Sequence, residues 1–418
     1  MKKKLAIVGS GISAMGAAYY LRDDYEITIF EKNDYLGGHT HTHHLKEGDH
    51  EFTVDSGFIV FNLKTYPNLI KLFQELGVKK QKCSMSFGVW NLNSGLQYSS
   101  NSLFHFFAQT KNLFSYRYWK FLYEIVRFFR VALKDREAIE DSKQTIQEYC
   151  KSKGLSDYFI DNYLAPMSSA VWSTAQGSVY DFPISIIIPF FYNHGLLQVM
   201  RPLQWYSVIG GSDDYTKKIV AAGNFDVHLS EPVKEVFESG EGIKITTNKA
   251  EYDFDYVVLA SHSDESLRMV KNLPEAKRDL LSKFEYNANT AVLHTDEAIM
   301  QPIQKVWSAW NHIIKKDDNS KAVSSTVYWM NPLQHTDTNN NYFVSINPFR
   351  QIDPEKTIKV INYQHPNFTV ENFALQSKLQ DMNKDTRMLF AGAYFGYGFH
   401  EDGLKSGLKV VEILKKLK

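Results

Sequence analysis

The chain has 418 residues, with 47 basic and 47 acidic side chains and a formal net charge of zero. That length favours two domains over one simple core, and a balanced charge without a basic tail gives nucleic-acid binding no electrostatic support. Cys83 and Cys150 are spaced neither as a metal site nor as a redox pair, so a reducing cytoplasm is the expected compartment. No stretch reaches the roughly 18–20 uninterrupted apolar residues of a membrane-spanning helix. Yet 28 Phe, 24 Tyr and 7 Trp make 14% of the chain aromatic, which suggests a large apolar site or a lipid-facing surface.

The first stretch runs Leu5-Ala-Ile-Val-Gly9-Ser10-Gly11-Ile12-Ser13-Ala14, and Glu31 follows Ile27-Thr-Ile-Phe30. This predicts strand, glycine turn, helix, strand and acid, the pattern of a dinucleotide site. Gly9 permits a sharp turn out of the strand, Gly11 has no Cβ to hold a pyrophosphate away, and Ala14 lets the helix lie close on the sheet. The free N–H groups of a helix starting near Ile12 suit a pyrophosphate. Glu31 suits the adenosine ribose hydroxyls and repels a 2′-phosphate, which disfavours NADP. Two plainer readings stand beside this one: an ordinary glycine-rich turn, and a secretory signal after Met1-Lys-Lys-Lys4. The glycines that break the apolar run, and the correctly spaced acid, argue against export.

Next come the loop Gly37-Gly38-His39-Thr40, a strand over Glu51–Phe61 interrupted at Gly57, and a helix from Tyr66-Pro67 through Leu69, Leu72, Phe73 and Leu76 to Gly77, with Thr65 as its cap. His41, His43 and His44 lie close together, but no fourth ligand of suitable spacing supports a metal, and none is expected. Residues 102–134, rich in Phe, Tyr, Trp, Lys and Arg, predict a helix with a wide apolar face and a basic one. It is either an ordinary helix of the substrate domain or one lying on an anionic membrane surface. Helices are expected over Thr145–Lys153 and Ser156–Leu164, and Tyr180–Phe191 reads as an apolar lining broken by Pro183 and Pro189.

Beyond Trp205 the chain returns to α/β character. It has a helix over Asp214–Ala222, a strand at Phe225–Leu229, a hairpin from Pro232 to Thr247, and the buried parallel strand Tyr256–Ala260. A β-rich region spans roughly 284–380. At the end, Arg387–Gly392 is a strand entering the loop Ala393-Tyr394-Phe-Gly-Tyr397-Gly-Phe399-His400-Glu401-Asp402-Gly403, followed by a helix over Leu404–Leu417.

Taken together, Gly9/Gly11/Ala14/Glu31, Gly37-Gly38, the hairpin after Pro232 and the block Gly392–Gly407 resemble the FAD-dependent amine oxidase and phytoene desaturase superfamily. More narrowly, Asp55–Asn62, Ala165–Met167 with Val171–Ser173, Ala291–Asp296 and Gly396–Leu404 look like a bacterial branch of predicted NAD/FAD-binding proteins. That branch is often encoded beside methyltransferases of the cyclopropane-fatty-acid-synthase type, so the resemblance implies a lipid substrate and a lipid methyltransferase as partner. It implies an α/β fold: a discontinuous Rossmann-like FAD domain (1–78, 205–283, 385–418) with an inserted substrate domain of mixed β-sheet and helices (79–204, 284–384).

Carried over by position, the resemblance assigns the adenosine ribose to Glu31. The pyrophosphate goes to Gly9, Ser10, Gly11 and the Gly37-Gly38 loop, the adenine lies near Val233, and Ile12, Ser13, Ala14, Lys32, His39 and Thr40 count among the cofactor-binding residues. The isoalloxazine is expected over Gly57, Phe58 and Ile59, framed by Gly392, Glu401, Asp402, Gly403 and Leu404, with its pyrimidine edge at the helix start after Asp402-Gly403. The superfamily commonly carries Arg where His39 stands.

The absence of a second G-x-G-x-x-G disfavours a plan with a separate nicotinamide domain. His400 and Glu401 are candidates for catalysis, His400 as general base or substrate-orienting group; the plainer reading has Asp402 cap the helix, Glu401 contact cofactor or solvent, and His400 serve as a packing residue. Tyr394, Tyr397 and Phe399 either wall the substrate site or fill core. An oxidoreductase of apolar acyl chains is the leading expectation, docked peripherally on the inner membrane face if 102–134 binds lipid. The alternatives are a small-amine oxidase, which calls for a lysine near the flavin and an aromatic cage that the sequence does not reveal, and a redox-neutral flavin isomerase or mutase.

Overall fold

The computed structural model describes residues 2–139, 142–172, 179–197, 203–316 and 322–417. Ser173 of the Val171–Ser173 signature lies outside them.

A parallel five-stranded sheet anchors the nucleotide end. β1 (Lys3–Val8) is central and β2 (Tyr25–Phe30) lies beside it, with helix α1 (Ile12–Leu21) as the crossover. Asp226–His228 extends the sheet beyond β2, while Tyr256–Leu259 and then Met388–Phe390 extend it beyond β1. Three distant parts of the chain therefore meet in one sheet. Strand alternation gives it two apolar faces. Leu5 and Ile7 pack with Ile27, Val258, α1 and Val410 of the last helix, whereas Ala6 and Val8 pack with Val257, Phe390 and the hairpin residues Val236 and Ile245. Because α1 is buried on nearly every side, it needs small residues where the last helix crosses it. A Cβ on Gly16 would stand 2.3 Å from Leu404 Cδ1, and one on Gly407 would stand 2.3 Å from the Ser13 carbonyl oxygen.

The second large sheet has seven strands, ordered 357–366, 286–294, 343–346, 322–329, 310–316, 87–91 and 96–99. Its pairs are antiparallel except the parallel contact between Trp310–Lys316 and Phe87–Asn91. A helical layer from residues 103–193 covers one end of it, and the largest apolar cluster, including Tyr98, Tyr118, Phe121, Phe128, Phe159 and Phe191, lies there.

Several local expectations change. The region 102–134 is not one helix: α2 (Pro67–Glu75) is followed by a single turn α3 (Leu103–Phe106), a short helical turn at Thr110–Phe114, and then α4 (Tyr116–Asp135), which Ser115 caps. Pro189 sits inside a helix, Ile184–Asn193, because Pro183 opens it and its burial among aromatic rings supplies the stability that the proline removes. Ser156–Leu164 is a short α-helix that widens into π geometry at Ile160–Leu164. The last helix begins at His400, four residues before the expected Leu404, with Phe399 as its cap residue. Thr65 does not cap α2; its hydroxyl accepts a hydrogen bond from Asn62 Nδ2.

Candidate active site

The site starts at the bare N-terminus of α1. Gly11 is the cap residue and offers no side chain, and the first turn carries no acid. The first N–H groups of the helix therefore have no partner inside the helix, and Ile12 and Ser13 line a cavity of about 1290 Å³. Gly9 holds φ +96°, and a Cβ there would stand 3.0 Å from the Ala260 carbonyl oxygen. Nothing stands within 4 Å of a Cβ built on Gly11, so the space before it is open. The Ser10 hydroxyl donates to Glu31 Oε2 at 2.6 Å and accepts from the Gly37 N–H at 3.0 Å, tying the turn, the acid and the glycine loop together. The other Glu31 oxygen accepts from the Asn33 N–H. Pro232, Val233 and Lys234 close this end of the cavity.

Further along, Gly38 (φ +61°) packs on Gly11. Gly57 lies against the His39 carbonyl, where a Cβ would come within 2.2 Å, and the Phe58 N–H donates to that carbonyl at 2.7 Å. His39 thus projects into the cavity beside Tyr363 and His365, at ring separations of 4.9 and 5.1 Å. Its Nε2 is buried with no protein partner, and the same holds for His262 Nδ1, Trp310 Nε1 and Tyr394 Oη, all from residues lining the cavity. Buried polar atoms are rarely left unpaired. An open helix end, an open glycine and orphaned donors fit a ligand that carries a pyrophosphate at one end and a polar ring system at the other.

The expected cofactor residues line this cavity except Ala14, Thr40, Glu401, Asp402 and Leu404; Tyr394, Tyr397, Phe399 and His400 line it too. Each exception has a structural occupation. Ala14 is fully buried under the sheet and Leu404 packs over Gly16. The Thr40 hydroxyl meets Tyr215 and His400. Asp402, in the first turn of the last helix, accepts from the Tyr397 and Phe399 N–H groups at 3.1 and 3.0 Å. The expected helix start after Asp402-Gly403 is corrected accordingly: the turn at Phe399 and His400 carries the free end, and Gly403 is the residue of that pair facing the cavity.

The catalytic expectations are also corrected. Glu401 accepts from Asn68 N–H and Nδ2 at 3.0 and 2.6 Å and from the Leu69 N–H at 3.0 Å, so it caps the N-terminus of α2 from 332 residues away. Replacing it with Ala is expected to leave those donors unsatisfied and to cost about 2 kcal/mol of stability. Flavin content of the surviving folded fraction stays at the wild-type level; thermal unfolding followed alongside visible absorbance checks both. His400 lines the cavity, but its ring stacks on Phe58 at 3.7 Å and its Nε2 is 3.0 Å from both Thr40 Oγ1 and Tyr215 Oη. The two hydroxyls engage this nitrogen, and burial pushes the His400 pKa down to about 3, which disfavours the imidazolium. Those contacts tie the last helix to the Phe58 loop through His400, with its Nε2 already committed to two hydroxyls.

Two groups escape sequence reading. One is the face Ile361, Tyr363 and His365 on the strand Thr357–Pro366, of which Tyr363 and His365 line the cavity and the alternation itself is the one legible trace. The other is Asp55, fully buried, whose carboxylate receives the Ser212 N–H and hydroxyl, the Thr42 hydroxyl and Gln334 Nε2. Of the histidine trio, His41 stacks on Tyr35, His43 bonds Ser56 and His44 bonds Asp213. Among the described residues no group of three or more His, Cys, Asp or Glu side chains is arranged to hold a metal.

A parallel sheet covered on both faces, with an uncapped helix end after its first strand and a cavity adjoining it, has the architecture of a dinucleotide-binding fold. The family model for flavin-containing amine oxidoreductases matches residues 10–361. The chain belongs to that family and is an FAD-dependent oxidoreductase. A curated relative, the 1-hydroxycarotenoid 3,4-desaturase of Flavobacterium sp. (strain P99-3), is 41% identical over 75 residues, 18% of this chain and only 14% of that protein. Putrescine oxidase with putrescine bound shares the fold at TM-score 0.67 and 14% identity, over 100% of this chain and 99% of that one. A fatty acid isomerase of P. acnes that produces CLA does so at TM-score 0.67 and 12% identity, over 99% and 98%.

Proposed function

We propose that this enzyme removes a hydride from a long apolar chain, fatty acyl or similar, as a dehydrogenase or desaturase. The flavin supplies the two-electron acceptor when bound; the protein supplies its cradle and the shape and polarity of the substrate limb. The observation that carries the reading is the charge distribution along the cavity. Its charged lining residues, Glu31, Lys32, Lys234, Glu265 and Arg268, all belong to the nucleotide end. Beyond His400 the described lining contains no Asp, Glu, Lys or Arg, and Tyr98, Phe106, Ile125, Phe129, Tyr163 and Phe190 set its character.

The histidines there add no charge at neutral pH. Burial lowers His365 and His194 to about 4. A polyamine cation entering this limb would lose hydration and find no carboxylate among the described lining residues, which is costly. An alkyl chain would instead gain about 0.8 kcal/mol per buried methylene. The fold alone does not choose between a diamine and a fatty acid, since neighbours of both kinds share it; the uncharged lining of this limb supports the second. A partner that modifies the same chains, such as a lipid methyltransferase, is consistent with this choice.

The test is anaerobic addition of candidate substrates to the purified flavoprotein. Unsaturated or methylated acyl lipids are expected to bleach the visible flavin absorbance, while putrescine leaves it unchanged. Bleaching by amines and not by acyl lipids overturns the proposal. Turnover of an acyl lipid to a double-bond isomer, with no net bleaching, would place the enzyme among redox-neutral isomerases.

A further inference from the structure

The apolar limb leads to an unusual stretch of surface. Half of the large apolar side chains exposed among the described residues fall between Leu103 and Leu133. Phe104, Phe114 and Tyr116 are 89, 91 and 84% exposed. Along α4, Tyr116, Trp119, Tyr123, Val126 and Leu133 repeat at helical spacing on one outward face. The opposite face is not a spare: Tyr118, Phe121, Ile125, Phe128 and Phe129 are buried in the core. Water therefore meets an aromatic stripe that packing inside this chain does not need.

Charge on this face has one sign. Lys111, Arg117, Arg130 and Lys134 are exposed, whereas Glu124, the one acid between 103 and 134, is 2% exposed, turned inward to the Ser156 hydroxyl and paired at 3.9 Å with Lys120. Arg127 is not part of the set, because its guanidinium donates to the Lys153 and Gly154 carbonyls. The cavity reaches the same place. Leu103 and Val126 line it and are themselves 69 and 37% exposed, with Phe106, Leu122 and Ile125 just inside.

We infer that α3, the turn at Thr110–Phe114 and the outward face of α4 dock on an anionic phospholipid bilayer, so that the apolar limb opens into it between Leu103 and Val126. Amphipathic helices with aromatic and basic side chains on their exposed side lie in the interfacial plane, apolar groups below the headgroups and cations among them. No helix among the described residues is long and apolar enough to cross a membrane, so the contact is peripheral. Docking there lets an alkyl chain pass from bilayer to site without crossing water. The docking rests on the surface itself, while the cargo rests on the acyl-chain reading above.

The experiment is co-sedimentation of the flavin-loaded full chain with vesicles of phosphatidylcholine alone or mixed with phosphatidylglycerol. Wild type is expected to pellet with the mixed vesicles and to be released by raised salt. The pair Phe104→Ser and Phe114→Ser is expected to lower partitioning about tenfold. The triple reversal Lys111→Glu, Arg130→Glu and Lys134→Glu is expected to lower it by at least about tenfold, while flavin absorbance is retained. Brominated lipids are expected to quench tryptophan fluorescence in wild type and much less in Trp119→Phe, a readout that does not depend on the multiple variants folding. Wild type that stays in the supernatant, variants that partition like wild type, or a stable dimer that buries Phe104 and Phe114 would each overturn the inference. A protein that docks yet is not bleached by acyl lipids would refute the substrate reading and leave the docking standing.

Discussion

Replacing Gly11 with Val is expected to abolish flavin binding while leaving the fold intact. Gly11 has an extended backbone, φ −65° and ψ 175°, that valine adopts readily, and a Cβ built there meets no protein atom within 4 Å. The space it enters is the part of the cavity in front of the α1 N-terminus, where the pyrophosphate must approach the Ile12 and Ser13 N–H groups. The methyl groups would hold the phosphates off those donors, and the expected loss is at least about 100-fold in FAD affinity, roughly 3 kcal/mol. Gly9 makes the contrast. Valine there must hold φ +96° with its Cβ 3.0 Å from the Ala260 carbonyl, so both fold and flavin should fail. Visible absorbance after purification, together with thermal unfolding of the apoprotein, separates the two. A Gly11→Val protein that keeps full flavin content would show that the pyrophosphate lies elsewhere.

Asp55→Ala is expected to be the more damaging change to stability, by roughly 3–5 kcal/mol. Its carboxylate joins the strand His50–Asp55 to Ser212, before the helix Asp213–Ala222, and to Gln334, and its removal leaves several buried donors without an acceptor. The pH dependence follows from the direction of its shift. Burial raises the folded pKa from 3.8 to about 6, against the pull of its hydrogen bonds. Between those values the folded protein holds a proton that the unfolded chain releases. The contribution of this group is therefore most favourable below about pH 4 and is lost as pH rises through about 6. Asp402, raised to about 6 chiefly by burial, acts in the same direction. Asp55→Asn cannot ionise and also presents an NH₂ to neighbouring donors, so it should be less stable at every pH with a flatter profile between pH 4 and 7. Chemical denaturation at several pH values checks the slope; an unchanged slope would mean that Asp55 is ionised throughout this range.

What could be read in advance follows the range of the interactions involved. The turn at Gly9 and Gly11, the helix after it and the carboxylate of Glu31 lie within about thirty residues, and each has a backbone or spacing reason of its own. The parallel strand at Tyr256–Leu259 was legible from its unbroken apolar run, since a strand covered on both faces has no polar side. Glu401 misled because a carboxylate at the start of one helix can equally serve another, and nothing local reveals that α2 begins beside it. The expected helix start at Leu404 misled for a related reason. Gly403 reads as a break, but inside the last helix it makes room for Ile12, 2.9 Å from where its Cβ would stand.

The sequence by itself determined a dinucleotide-binding α/β chain, a second glycine loop and an aromatic, basic stretch at 102–134, because those are properties of neighbours along the backbone. Only the tertiary structure decided that His400 is clamped by Phe58 and Thr40, and that Glu401 caps α2 and is not part of the site. It alone decided that the cavity holds its charges at the nucleotide end and reaches the surface through Leu103 and Val126. These are contacts between segments hundreds of residues apart, and burial, which sets both the neutrality of the histidines and the cost of a cation, exists only once those segments have met.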